Sequence, residues 1–148
     1  IAKPLFERAL DIYEKALGPH HYLTAISLGN LGKIYEKQRE YEKAKSFIER
    51  ALEINEKAFG TQHSSVAASL SILANVHSSQ NQFDKAEPLY ERAIRIITEA
   101  SPGNPDIAKY LDDYATMLEE SNRPKEASLQ RDRAQEMRDR IKQESTDV

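Results

Sequence analysis

The sequence predicts an all-α solenoid of antiparallel helix pairs, and three observations carry that prediction. The chain repeats itself with a period of 42 residues. Its apolar residues recur at helical spacing, and no segment alternates with period two. Turn-forming residues interrupt the pattern at matching places in each unit. Ala2-Lys3-Pro4-Leu5-Phe6-Glu7-Arg8-Ala9-Leu10 returns as Ala44-Lys45-Ser46-Phe47-Ile48-Glu49-Arg50-Ala51-Leu52, then as Ala86-Glu87-Pro88-Leu89-Tyr90-Glu91-Arg92-Ala93-Ile94. Residues 1–42 aligned on 43–84 share 17 identities. A worn copy, Ala127 to Ala134, follows at a step of 41, and the lost residue falls in the Ser101–Pro105 turn, where a deletion is tolerated.

Each unit reads as two helices, a first and a second. The chain opens on a second helix at about 1–17, without its partner, so Leu5, Ala9 and Ile12 are expected to form an uncovered apolar strip. A first helix follows at 23–38, its stripe Leu28, Leu31, Gly32 and Tyr35 spaced i, i+3, i+4, i+7. The helix at 41–59 carries Ala44, Phe47, Ile48 and Ala51. The pair repeats at 64–80 (Leu70, Leu73, Ala74, His77) and 83–100 (Ala86, Tyr90, Ala93), with Pro88 expected in the first turn, where a missing N–H matters little. The last pair spans 106–121 (Leu111, Tyr114, Ala115, Leu118) and 124–144 (Ala127, Ala134, Met137, Ile141). Gly32, Ala44 and Ala51, with their alanine counterparts 42 residues on, predict close approach of helix axes. Arg131, Asp132, Arg133, Arg138, Asp139 and Arg140 give the final helix the polar outer surface of a capping repeat. The C-terminus is therefore expected to be the natural end of the array, and the N-terminus an interruption of it.

Composition bounds the function. The 148 residues suit one domain; 30% are charged and 39% apolar. A net charge of −3, from 21 basic and 24 acidic residues, gives no reason to expect nucleic acid or a membrane surface as partner. No cysteine is present, which excludes disulfides, thiolate metal sites and cysteine nucleophiles. No apolar run approaches the ~18 residues of a membrane span, and the opening residues do not read as a signal peptide. A cytoplasmic chain is expected.

The Gly/Ala, Ala and Ala spacing within a helix pair resembles the tetratricopeptide repeat, whose usual unit is ~34 residues. The longer unit here, with Glu-Arg-Ala-Leu-(Asp/Glu)-Ile-x-Glu-Lys-Ala-(Leu/Phe)-Gly before the inter-unit turn, is similar to the 42-residue variety of kinesin light chains and many bacterial arrays. The resemblance covers residues 1–144. Its departures are His77 in the place of Tyr35, and Arg131 in the place of Ile48 and Tyr90. It implies a right-handed superhelix whose first helices line a concave groove for extended peptides. The residues opposite each first helix's core stripe are then the groove candidates. These are Ile26, Gly29, Asn30, Lys33 and Lys37, then Ala68, Ser71, Ile72, Asn75 and Ser79, and last Lys109, Asp112, Asp113, Thr116 and Glu120. Read in this order the groove runs from basic through neutral to acidic, with Ile26 and Ile72 as apolar anchors and Asn30 and Asn75 as backbone binders. Its ligand would carry acidic residues toward Lys33 and Lys37 and basic ones toward Asp113 and Glu120.

Other candidates have plainer readings. His20 and His21 are adjacent, poor spacing for one metal. His21 recurs as His63, which points to a scaffold role bonding backbone in the inter-unit turns. Asp112-Asp113 and Glu119-Glu120 lack a calcium loop's spacing and read as a solvated face. Ser145-Thr146-Asp147-Val148 has the form of a C-terminal peptide captured by strand addition. No nucleophile–base pair, phosphate loop or metal-ligand spacing is present, so no catalytic residue, metal or cofactor is expected. The expected function is a non-enzymatic scaffold binding a partner's peptide. The alternatives are a regulatory array within a larger signalling protein or enzyme, and self-assembly through Leu5, Ala9 and Ile12.

Overall fold

The same few local devices start and stop the helices of successive units. The computed structural model describes residues 2–147, in which α1 (Ala2–Leu17), α2 (Tyr22–Lys37), α3 (Tyr41–Phe59), α4 (Ser64–Ser79), α5 (Phe83–Ala100), α6 (Asp106–Glu120) and α7 (Pro124–Thr146) follow one another with no strand. His21 and His63 are the N-caps of α2 and α4. In both, extended backbone lets the ring Nδ1 accept the N–H two residues on, from Leu23 and Ser65, at 3.2 Å. Asn104 occupies the equivalent position before α6, and its Oδ1 accepts the Asp106 N–H at 2.8 Å. The repeated histidine thus serves the scaffold by filling an orphan backbone donor.

The turn inside each pair is also shared. Arg39, Asn81 and Asn122 have φ of 64°, 58° and 63°. Behind them Glu40, Gln82 and Arg123 donate N–H to the carbonyls of Tyr35, His77 and Leu118 at 2.8–2.9 Å. Such a turn satisfies the last helix carbonyls, and asparagine tolerates it better than arginine. Pro88 departs from expectation. It lies six residues into α5, past the first turn, where it removes a helix bond that the flanking turns must offset. The tail departs too. α7 continues through Ser145 and Thr146, whose hydroxyls donate to the Lys142 and Gln143 carbonyls, so these residues are helical and not extended; Val148 lies outside the described residues.

Three hairpins, α2–α3, α4–α5 and α6–α7, stack with α1 in front. First helices touch first helices, α2 with α4 and α4 with α6, whereas among the described residues no two second helices come into comparable contact. A stack whose one row is closer than the other curves toward the closer row, so α2, α4 and α6 line the concave side. The close approach occurs where side chains are smallest. Gly32 and its successors Ala74 and Ala115 are buried, as are Ala44, Ala51, Ala86, Ala93, Ala127 and Ala134. At Gly32 an added Cβ would lie 2.0 Å from Ile48 Cδ1 and 2.5 Å from Cγ1. Ile48 fills that notch and meets Ile72 and Leu73 of the next unit.

On the outer side Arg50 of α3 reaches Glu14 of α1, and Arg92 of α5 reaches Glu56 of α3 at 2.9 Å, the same pair one repeat apart. At the third joint the positions hold Arg133 and Thr98, so this ion pair is missing. Arg131, in the place of Ile48 and Tyr90, pairs with Glu119 of α6 at 2.9 Å. At the other end Leu5 is 64% and Ile12 50% exposed, while Ala9 is half-buried. Phe6 and Leu10 are the α1 side chains that pack on Leu28 and Leu31.

Two stability measurements check this account. Gly32→Ala should destabilise by about 1–3 kcal/mol through overpacking, although alanine favours an open helix by about 1 kcal/mol. In an Ile48→Ala background the same change should become stabilising; denaturation midpoints for the four variants decide it. Arg39→Gly should raise stability by about 1 kcal/mol by relieving the left-handed residue, while the same change at Gln38, in ordinary helical backbone, should not.

Candidate functional site

The concave face divides along the helix axes into an apolar and an acidic half. Toward the N-terminal ends of α2 and α4 lies an open cavity of about 320 Å³. Its walls are Ala25, Ile26, Gly29, Asn30 and Lys33 of α2 and Ser65, Ala68, Ser69 and Ile72 of α4. Tyr22 and Phe59 stand at the mouth beside His63. Antiparallel pairing brings the first residue of α2 against the last of α3, so the Tyr22 and Phe59 rings meet edge to face at 6.0 Å, and Phe59 stacks on His63 at 4.4 Å. Ile26, Tyr22 and Phe59 are 54%, 44% and 43% exposed and give the cavity an apolar rim. Asn55 of α3 closes the base, its amide donating to the Ser69 hydroxyl at 3.2 Å.

Toward the C-terminal ends is a smaller cavity of about 180 Å³ lined by Glu36 of α2, Asn75, Ser78 and Ser79 of α4, Tyr90 of α5, and Asp113, Thr116 and Glu120 of α6. Ser79 donates to Glu36 at 2.9 Å, bridging α4 to α2. Asn75 is committed on both sides: its oxygen accepts the Tyr90 hydroxyl and its amide donates to Asp113 at 3.3 Å. Burial pushes the Asp113 carboxyl above its ordinary value, against the Asn75 bond that lowers it. Burial, with Asp113, Glu120 and Glu36 nearby, raises the Tyr90 phenol and keeps it protonated. Lys33 is exposed, yet partial desolvation against the cavity wall lowers its amine, and Lys109 across from it on α6 acts in the same direction.

The expected groove residues therefore sort into distinct places. Ile26, Gly29, Asn30, Lys33, Ala68 and Ile72 share the apolar cavity; Asn75, Ser79, Asp113, Thr116 and Glu120 share the acidic one. Ile72 is a buried wall, 7% exposed, and not a free anchor. Ser71 is buried, with its hydroxyl on the Ala68 carbonyl at 2.8 Å. Asp112 turns away from the groove to Arg138 and Arg131 of α7. Lys37 and Lys109 are exposed. The charge does not grade from unit to unit as the linear order suggests: Lys33 and Lys109 face one another from the outer units, and Glu36 of the first unit joins Asp113 and Glu120 of the third. Tyr22, Phe59, His63 and Glu36 line the cavities without being among the expected groove residues. Their signal is positional, since Tyr22 stands where the next unit has Ser64, and Phe59 ends its helix beside a repeated histidine.

A family model described as tetratricopeptide repeat matches residues 1–57, 30–99 and 65–140. No curated protein sequence matches the chain. Among solved structures, BtubC (BKLC) of P. vanneervenii superposes with a TM-score of 0.83 at 24% identity, over 95% of this chain and 57% of that one. A point variant of a kinesin light chain-like protein of Podosopora anserina, with nearly identical TPR-like repeats, gives 0.73 at 20% identity over 96% of this chain and 68% of that one. Another crystal structure of those repeats gives 0.68 at 21%, over 93% and 65%. The chain thus spans little more than half the length of BtubC.

Asp113 supplies a pH prediction. Its folded pKa is raised, so its charge opposes folding at neutral pH, and that penalty is relieved as pH falls through the raised value. Asp113→Asn should melt higher than the parent at neutral pH, and the gap should close as the buffer is acidified. Equal melting points at neutral pH would contradict the burial argument.

Proposed function

Because the chain belongs to the tetratricopeptide repeat family, we propose that it is a non-enzymatic interaction module whose concave groove holds an extended peptide segment of a partner protein. Repeats of this family generally mediate protein–protein interaction. The observation that carries the reading is the open apolar cavity between α2 and α4, rimmed by three large side chains left about half exposed. Concave apolar pockets with a few placed polar groups are the usual form of a binding site. Asn30 stands half-buried beside the cavity, with amide donors and an acceptor suited to a peptide backbone. No helix of the described residues is long and apolar enough to cross a membrane. The reading takes both the chain and its partner to be cytoplasmic.

Exposed Leu5 and Ile12 favour a second reading, association of two copies through α1. Leu5→Glu with Ile12→Glu should then lower the mass measured by light scattering at high concentration. A parent already monomeric there would remove this reading.

The groove reading is tested by amide exchange. Peptides selected from a random display library against the chain should protect α2 and α4, and Phe59→Ala with Tyr22→Ala should weaken them at least about tenfold, as expected for aromatic anchors. Protection confined to α3, α5 and α7 would place binding on the outer face and refute it.

A further inference from the structure

The groove reading leaves open what chemistry the partner presents, and the two cavities constrain it. The larger is an apolar slot with a single cation, Lys33, on its wall. The smaller has three carboxylates on its walls and no lysine or arginine. Glu36 and Asp113 accept from neutral donors, Ser79 and Asn75, and neither forms an ion pair among the described residues; Lys109, one turn before Asp113, acts on it only from beyond ion-pair distance. Neighbouring acids elsewhere on the same helix are matched: Asp112 pairs with Arg138, and Glu119 with Arg131. No three acidic groups of the described residues lie close enough together to hold a metal ion. A long cationic side chain with several donors can address carboxylates spread in this way.

We propose that the groove selects a peptide carrying a bulky apolar residue and a lysine or arginine three to five positions apart, the apolar side chain entering the α2–α4 cavity and the cation seated among Glu36, Asp113 and Glu120. This rests on the groove reading above and adds the partner's register to it. The spacing follows from α4, which borders both cavities. It meets the first between Ser65 and Ile72 and the second between Asn75 and Ser79. Their centres are about eight residues apart, or ~12 Å at ~1.5 Å per residue. Extended chain covers that in about four residues at ~3.3 Å each. The unfavourable burial of Asp113 in the free protein fits the same picture, since an arriving cation would relieve it.

The test uses synthetic Gly/Ser nonapeptides with one Phe and one Lys at separations of one to six, and a matching set with Glu for Lys, titrated by fluorescence anisotropy at low and high salt. Affinity should peak at separations of three to five. It should fall about tenfold with Glu in place of Lys, and by a similar factor in the Asp113→Asn, Glu120→Gln protein, with both differences smaller at high salt. Phe59→Ala should weaken every peptide. If affinity ignores the position or presence of Lys while Phe59→Ala still abolishes binding, the register is wrong and the groove reading stands. If Phe59→Ala has no effect, the groove reading itself fails. If no peptide of the series binds at millimolar concentration, the proposal is overturned.

Discussion

Ile48 occupies the space that Gly32 leaves empty, and the curvature of the array depends on contacts of that kind. A helix pair can close only as far as the side chains between its axes allow. Here those side chains are glycine or alanine at each joint, so larger neighbours are pushed to the flanks. Ile48 is driven forward onto Ile72 and Leu73 of the following unit. One contact therefore fixes both the angle within a pair and the seat of the next. Protein interiors are too densely packed for such a joint to drift.

The concave face inherits its chemistry from that geometry. With α2, α4 and α6 drawn together, residues two units apart in sequence come to share one environment. Lys33 feels Lys109, and Glu36 lines the same cavity as Asp113 and Glu120. The charge pattern accordingly belongs to the superhelix and not to any single repeat. The apolar cavity has a similar origin, because the start of α2 and the end of α3 meet only as antiparallel neighbours, which sets Tyr22 against Phe59.

The seven helices are legible because a 42-residue repeat shows each signal several times. The stripe of Leu28, Leu31, Gly32 and Tyr35 is convincing because Leu70, Leu73 and Ala74 follow it. Even the scaffold role of His21 and His63 is visible in their recurrence, although the bond they make is not. Departures from the repeat are harder to read. Pro88 lies past the first turn of its helix, although the start at Phe83 is where the sequence puts it, because a proline's usual place at a helix start carries more weight in such a reading than its count from Phe83. Asp112 faces α7 because Arg131 and Arg138 offer it ion pairs, information carried by another helix. Ile72 looks exposed on a helical wheel because a wheel shows one helix and not the neighbour that covers it. Tyr22 breaks the repeat and Phe59 sits within it as the counterpart of Leu17, so repetition marks neither as part of a site.

The central claim is that small residues at the joints set the spacing of the groove-forming helices. The chain has no cysteine, so Lys33→Cys with Lys109→Cys allows two spin labels to report the α2–α6 distance across the groove without background. A single narrow distance distribution is expected, and Ala74→Leu, which enlarges a fully buried joint residue, should lengthen and broaden it at unchanged helix content. An identical distribution in the Ala74→Leu protein would show that the joints do not set the groove, and would contradict the account.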